Sequence, residues 1–122
     1  KDLSPIVAAH RASEICGAAI LLKGANSIIA APNGSIWQLL GTAPWVARAG
    51  WGDVLAGFVA GIGAVGVASK NEIDGSLLAA SALMHSHAGR ICREGSNADS
   101  ITCELAQIVK RAQLGQCLEN PI

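Results

Sequence analysis

The chain has 122 residues, of which 51 % are hydrophobic and 15 % carry a charge, so it forms one domain at most, or part of a larger one, and is not generally disordered. Nine basic residues balance nine acidic ones, and the sequence has three Trp, one Phe and no Tyr. Because it offers neither a net positive field nor an aromatic platform for bases, we expect no nucleic-acid partner.

Seven segments have the apolar spacing or length of regular elements: a helix at 5–17, strands at 18–23, 27–31 and 35–40, and helices at 54–69, 73–94 and 99–114. Ser4, Pro5 and Gly17 supply the N-cap, first-position and stop signals of the first helix. The Pro32-Asn33-Gly34 turn makes the last two strands a hairpin, because Asn and Gly accept positive φ. The first strand has the composition of a buried strand in a layered α/β sheet. This order predicts an α/β fold with helices covering a sheet.

The uncharged segment 54–69 has two interpretations. Gly57 and Gly61 form a GxxxG spacing, which lets membrane helices dimerise but also lets a soluble helix pack closely on a sheet. The segment has fewer residues than the roughly 20 that a bilayer core requires, and Asp53 and Lys70 close it at both ends. We therefore expect no membrane partner.

The N-terminus and the cysteines bear on origin and location. The chain begins with Lys1 rather than Met and shows no leader with a cleavage site, so we expect a fragment of a cytoplasmic protein. Its four cysteines form no CxxC pair, which argues against zinc, and we expect buried or unreactive thiols rather than disulfides.

A glycine-rich turn, Gly50-Trp51-Gly52, leads through Asp53 into the apolar helix. Such a turn presents backbone N–H groups and the positive end of the helix dipole, which together form an anion site used most often for phosphate. Asp53 has two interpretations there. It is either a helix N-cap or a general base that takes the proton of a substrate hydroxyl as its oxygen attacks phosphorus.

Three segments resemble one family. Residues 49–57, AGWGDVLAG, resemble the AG(S/T)GDVLAG signature of the ADP/ATP-dependent NAD(P)H-hydrate dehydratases, which belong to the ribokinase-like superfamily. Residues 22–27, LKGANS, resemble that family's LKGAxT segment, and residues 85–89, HSHAG, are similar to its HxxAG helix. The resemblance runs from about residue 5 to residue 115. It implies that residues 1–122 are the C-terminal part of a single ribokinase-like α/β domain.

The resemblance also implies an activity and a set of site residues. The family repairs hydrated NADH or NADPH by phosphorylating the hydrate hydroxyl with ADP or ATP and eliminating phosphate, and Mg²⁺ accompanies the nucleotide. By matching positions, Asp53 would contact the hydrate and act as base. The adenine-nucleotide site would comprise Lys23, Gly24, Ala25, Asn26, Ser27, Gly50 and Gly52. The resemblance assigns no residue to a protein-bound metal. The implied partners are the nucleotide and the dinucleotide substrate. A homo-oligomer is compatible with this assignment.

The sequence departs from the family pattern in several places. Trp51 stands where Ser or Thr is usual, and we expect its indole to alter the wall of the site. Residues 43–45 replace the usual Asn-Pro-Gly, Arg48 replaces Thr, and Arg90 replaces an acid. Because a ribokinase-like domain is much longer than this chain, we expect the isolated chain to be inactive.

Two side chains in these motifs have structural alternatives. Lys23 is either a phosphate ligand or an exposed strand end, and the Gly-Ala-Asn-Ser run that follows it favours the site. His85 and His87 point about 200° apart around a helix, so we expect helix packing or partial exposure of these side chains rather than a shared metal.

Two other functions stay open. The first is a small-alcohol kinase of the same fold, of the hydroxyethylthiazole or pyrimidine-phosphate type, because the Gly-Asp segment is shared with those enzymes. The second is a non-catalytic helical or membrane-associated interaction module. The combination of LKGA with an uninterrupted VLAG is more specific to the dehydratases.

Overall fold

The computed structural model describes residues 3–40, 49–70, 75–92 and 96–116, and the predicted order of elements is confirmed. In chain order the elements are α1 (Pro5–Cys16), β1 (Ile20–Leu22), β2 (Ser27–Ala30), β3 (Ile36–Leu39), α2 (Trp51–Lys70), α3 (Gly75–Ile91) and α4 (Ala98–Gln113). Helix α2 begins three residues before the predicted start at Val54 and so includes part of the glycine-rich turn. The departures at residues 43–45 and Arg48 lie outside the described residues.

Helix α1 has the caps that its sequence predicts. Ser4 is extended, and its Oγ accepts a hydrogen bond from the first turn of the helix. Gly17 adopts φ 61° and donates its amide to the carbonyl of Ser13. The buried Ser13 hydroxyl donates to the carbonyl of Ala18 at 2.7 Å, which ties the end of α1 to the chain that enters β1.

The three strands form an antiparallel sheet in the order β1-β2-β3. Ile29 lies opposite Leu21 on one side and Trp37 on the other. The predicted turn joins β2 to β3, with Gly34 at φ 84° and the Asn33 side chain accepting a hydrogen bond from the Ser35 amide at 3.0 Å. The hairpin is therefore confirmed together with its turn chemistry.

The sheet buries its central strand and exposes its edges. Ile28 and Ala30 of β2 pack with Ala9 of α1, and α3 packs against β2 and β3. All four residues of β2 are buried because successive side chains point to opposite faces and both faces are covered. The prediction that the first strand is buried was wrong, since β1 is an edge strand and its Leu22 is 38 % exposed.

A second hydrophobic cluster joins the three C-terminal helices. Helix α3 packs against both α2 and α4. The buried members of the cluster are Trp51, Ala88, Cys92, Ile101, Leu105 and Ile108. Within residues 51–69 of α2, only Trp51 and Leu55 are buried, and the other residues are partly or fully exposed.

Helix α2 is long and apolar enough by length and composition to cross a membrane. The described residues contain one such stretch, Trp51–Ser69, with a mean hydropathy of 1.6 and 6 % of it buried. The helix is therefore not too short to span a membrane, as its uncharged segment alone had indicated, because α2 extends beyond 54–69 at both ends. One such helix is weak evidence for a membrane protein, since core helices of soluble proteins meet the same criteria.

The replacement Gly75→Ala tests the packing of α3 on the sheet. A Cβ at Gly75 would lie 2.5 Å from the Trp37 ring and 2.8 Å from the Ala31 Cβ. We expect this variant to lower the free energy of unfolding by about 1–3 kcal/mol, the usual cost of overpacking. Chemical denaturation measures the loss, and Gly61→Ala, where a Cβ meets no atom within 4 Å, is the control. Equal stability of the two variants would contradict this packing.

Candidate functional site

The turn that opens α2 includes one residue whose backbone conformation favours glycine. Gly50 has φ 84°, a left-handed conformation that favours glycine. Its carbonyl accepts the amides of Asp53 at 3.1 Å and Val54 at 3.0 Å. Among the described residues, none accepts a hydrogen bond from the Gly52 amide. The Gly52 amide is the donor of this turn that the sequence assigns to the nucleotide.

Asp53 lies in the first turn of α2, as its third residue. The N-cap interpretation was wrong, because α2 begins two residues before Asp53. Its side chain is exposed and forms no ion pair with any residue that the structure describes. The carboxylate is thus open to a ligand at the positive end of the helix dipole.

Trp51 faces the protein interior rather than the turn. It is 1 % exposed and packs in the cluster that includes Ala88, Ile101 and Leu105. The expectation that its indole alters the site wall is therefore not supported, since the ring is a core side chain. The indole N–H has no hydrogen-bond partner within the described part of the chain.

Lys23 joins the segment after β1 to the turn before α2. Its ammonium group donates to the carbonyl of Gly52 at 3.3 Å, across 29 positions of sequence. A Cβ on residue 52 would lie 2.7 Å from Lys23 Nζ, so glycine permits this approach. The structure thereby brings together two of the segments that the sequence assigns to one nucleotide site.

A pocket of about 440 Å³ lies beside Lys23. Lys23, Gly24, Ala25 and Asn26 line it, together with the start of α1 and residues of the sheet. Ser27, which was predicted to belong to the same site, is the buried first residue of β2. The pocket therefore gathers four of the predicted residues, while Gly50, Gly52 and Asp53 lie on the turn that Lys23 contacts.

His85 reaches the same turn from α3, a contact that the sequence did not predict. The ring is 5 % exposed, and its Nε2 lies 3.0 Å from the carbonyl oxygen of Trp51, 34 positions away. A carbonyl only accepts, so Nε2 carries the proton and donates it. The packing role predicted for His85 is confirmed. The only sequence signal that could have indicated its contact with the turn is its place in the HSHAG motif.

Burial sets the ionisation of His85. Desolvation lowers its pKa below 6.5, the hydrogen bond to the Trp51 carbonyl opposes this, and the charge of Lys23 lowers the pKa further. Burial and the charges of Arg90 and Arg111 also lower the pKa of His87. Lys23 and His85 thus donate to two successive carbonyls of the turn, and the charge of Lys23 contributes to the lowered pKa of His85.

The thiols and acids form no metal centre in the described structure. No group of three or more His, Cys, Asp or Glu side chains is placed to hold a metal ion within the described ranges. Cys92 is buried, and burial followed by the charge of Glu104 raises the pKa of its thiol. Cys16 and Cys103 are free and exposed, and Cys117 lies outside the described residues.

The chain matches known proteins over most of its length. The family profile described as NAD(P)H-hydrate dehydratase matches residues 4–111. A protein of Synechocystis sp. named bifunctional NAD(P)H-hydrate repair enzyme Nnr is 38 % identical over 85 residues, which cover 69 % of this chain. The Methanopyrus kandleri protein of the same name is 50 % identical over 58 residues, or 47 % of the chain. A Xanthomonas campestris protein named ADP-dependent (S)-NAD(P)H-hydrate dehydratase is 43 % identical over 47 residues, or 38 % of the chain.

These relatives are much longer than the part that matches. The aligned residues span 16 % of the Synechocystis protein, 11 % of the Methanopyrus protein and 16 % of the Xanthomonas protein. No solved structure gives a significant match.

Acidification should destabilise the fold through His85. Because its folded pKa lies below 6.5, the unfolded chain binds more protons at mildly acidic pH, so stability is retained above pH 6.5 and falls as the pH decreases below it. Denaturant unfolding between about pH 8 and pH 5, where histidine titrates, should show a larger loss for wild type than for His85→Gln. His87 is present in both proteins, so its contribution cancels. Identical losses would contradict the assignment to His85.

Proposed function

Because the chain belongs to the NAD(P)H-hydrate dehydratase family, we propose that the complete protein converts hydrated NADH or NADPH back to the reduced cofactor at the expense of ADP or ATP. The observation that carries the proposal is the contact of Lys23 with Gly52. It places a cation at the carbonyl of a glycine in the turn, beside an exposed carboxylate at the start of a helix. That combination suits a terminal phosphoryl group next to a hydroxyl that must lose its proton.

In this mechanism the adenine nucleotide binds along Lys23, Gly24, Ala25 and Asn26, where the pocket of about 440 Å³ lies. The Gly52 amide and the Lys23 ammonium would stabilise charge on the phosphoryl oxygens, as preorganised donors at a developing anion do. Gly50 shapes the turn through its left-handed backbone.

Asp53 acts on the substrate hydroxyl. Its carboxylate takes the hydroxyl proton as the oxygen forms a bond to phosphorus and the bond to the nucleotide's leaving oxygen breaks. The C–O bond of the phosphate ester then breaks, inorganic phosphate leaves with the bonding electrons, and a neighbouring C–H proton is lost to solvent, which restores the double bond. The exposed position of Asp53 leaves room for the large dinucleotide that this step requires.

Mg²⁺ would bind together with the nucleotide rather than at a site formed by protein side chains alone. The described residues contain no cluster of three metal-ligating side chains. Mg²⁺ commonly keeps several waters and is held largely by substrate phosphates, so the nucleotide itself would supply its principal ligands. The cation would neutralise charge on the phosphates.

The direct test uses the full-length protein that contains this chain. Incubation with hydrated NADPH and ADP or ATP should restore the absorbance of reduced nicotinamide, with release of phosphate. Hydroxyethylthiazole and a pyrimidine-phosphate alcohol are the competing substrates. Phosphorylation of either alcohol, without any repair of the hydrate, would show that the protein is a kinase rather than a dehydratase.

The replacement Asp53→Asn separates proton transfer from binding. We expect kcat to fall about 10²–10⁴-fold, the usual contribution of a general base, while the Kd of ADP or ATP changes little. Initial rates and calorimetric titration measure the two effects. Asp99→Asn is the matched control, because Asp99 is also an exposed acid in the first turn of a helix. Full activity of Asp53→Asn would remove Asp53 from the base role.

The replacement Gly52→Ala tests the nucleotide site. The added Cβ would displace Lys23 Nζ, which lies 2.7 Å from that position. Loss of one charge-assisted contact costs about 1.5–3 kcal/mol, so the Kd of ADP or ATP should rise about 10-fold or more. Gly57→Ala, where a Cβ meets no atom within 4 Å, is the control further along α2. Unchanged affinity in both variants would contradict a phosphate contact that depends on this position of Lys23 Nζ.

A further inference from the structure

We propose that His85 is a positioning residue for the dehydration reaction, because its ring N–H holds the carbonyl of Trp51 and thereby fixes the turn that carries Gly52 and Asp53. The inference rests on the proposed function. It concerns a side chain that contacts neither the pocket beside Lys23 nor, in the mechanism above, the reacting groups.

A hydrogen bond to the carbonyl of Trp51 restrains the orientation of the first turn of α2. Trp51 is the first residue of α2, and Asp53 follows two residues later on the same turn. A carbonyl has two lone pairs, so it accepts the His85 N–H in addition to a bond along the helix. Fixing this oxygen at 3.0 Å fixes the rotation of the turn about the helix axis, and with it the direction of the Asp53 side chain.

The contact is protected from water. His85 is 5 % exposed and lies in a buried stretch of α3 that also includes Ser81, Ala82 and Ala88. Hydrogen bonds in such surroundings are stronger than in water, and loss of the donor would leave the carbonyl poorly solvated. Trp51 itself is 1 % exposed, so water cannot easily replace the histidine.

Lys23 alone is a weaker restraint on the turn. Its ammonium lies 3.3 Å from the Gly52 carbonyl, at the end of a flexible and exposed side chain. In the proposed mechanism the same ammonium also contacts phosphate, so its hydrogen bonds are shared between the turn and the ligand. His85 makes no such second contact and can therefore hold the turn throughout the reaction.

The test compares His85→Gln with His85→Met in the full-length protein. The two side chains have similar length and volume, but only glutamine offers an N–H near the position of Nε2. We expect His85→Met to lower kcat about 10- to 100-fold, as misplacement of a catalytic group does, with a smaller change in the KM for ADP or ATP. His85→Gln should retain most of the wild-type kcat. His87→Gln and His87→Met form the matched control pair on the same helix, and we expect them to be equally active.

The outcomes separate this inference from the proposed function. If wild type does not dehydrate the hydrate, the proposed function fails and takes the inference with it. If wild type is active and the Gln and Met variants at His85 have equal kcat, the positioning role is overturned while the function stands.

Circular dichroism and thermal unfolding establish that each variant is folded. If His85→Met does not fold, His85→Asn replaces it, because its shorter amide ends before the Nε2 position. A low kcat for His85→Asn beside an active His85→Gln supports the role, and equal activity of these two variants overturns it.

Discussion

The attachment of the first turn of α2 is the constraint on which the site depends. The two buried residues of α2 within 51–69, Trp51 and Leu55, both lie near its start. Its first turn is held by three contacts: the buried indole of Trp51, the His85 ring on the Trp51 carbonyl, and the Lys23 ammonium on the Gly52 carbonyl. They come from the helix cluster, from α3 and from the segment after β1. A turn held from three elements keeps its amides and its carboxylate in fixed places, as a preorganised phosphate site requires.

The order of residues in this turn follows from helix geometry. Successive residues are about 100° apart around a helix, so residues 51 and 53 point about 200° apart. Burying Trp51 therefore turns Asp53 outward, where it is exposed. Glycine at 52 leaves space for Lys23 between them, and glycine at 50 permits the left-handed backbone at the entry. The buried Trp51 and the exposed Asp53 are thus consequences of the same helix orientation, although Trp51 departs from the family pattern.

The sequence predicted the elements well because their signals are local. Ser4, Gly17 and the Asn33-Gly34 turn act through hydrogen bonds within a few residues, and each appears as predicted. The errors concern packing. The first strand was expected to be buried but is an edge strand, because burial depends on which strand is central. The contacts of Lys23 and His85 join residues 29 and 34 positions apart, and no local pattern indicates which carbonyl a side chain will reach.

The glycine spacing of α2 is compatible both with a soluble helix that packs closely on its neighbours and with a membrane helix, so the contacts of the helix must distinguish between them. A Cβ at Gly66 would collide with Leu77, which shows that at least one of these glycines serves the packing of α2 on α3. At the other end, Lys23 and His85 bring polar donors to the first turn. Burying a polar group such as the His85 ring is unfavourable unless it is paired, and here it is paired with the Trp51 carbonyl, while the exposed Lys23 ammonium is paired with the Gly52 carbonyl. The polar attachment of α2 at its N-terminus is what a phosphate site requires, whereas a membrane anchor has no need of it.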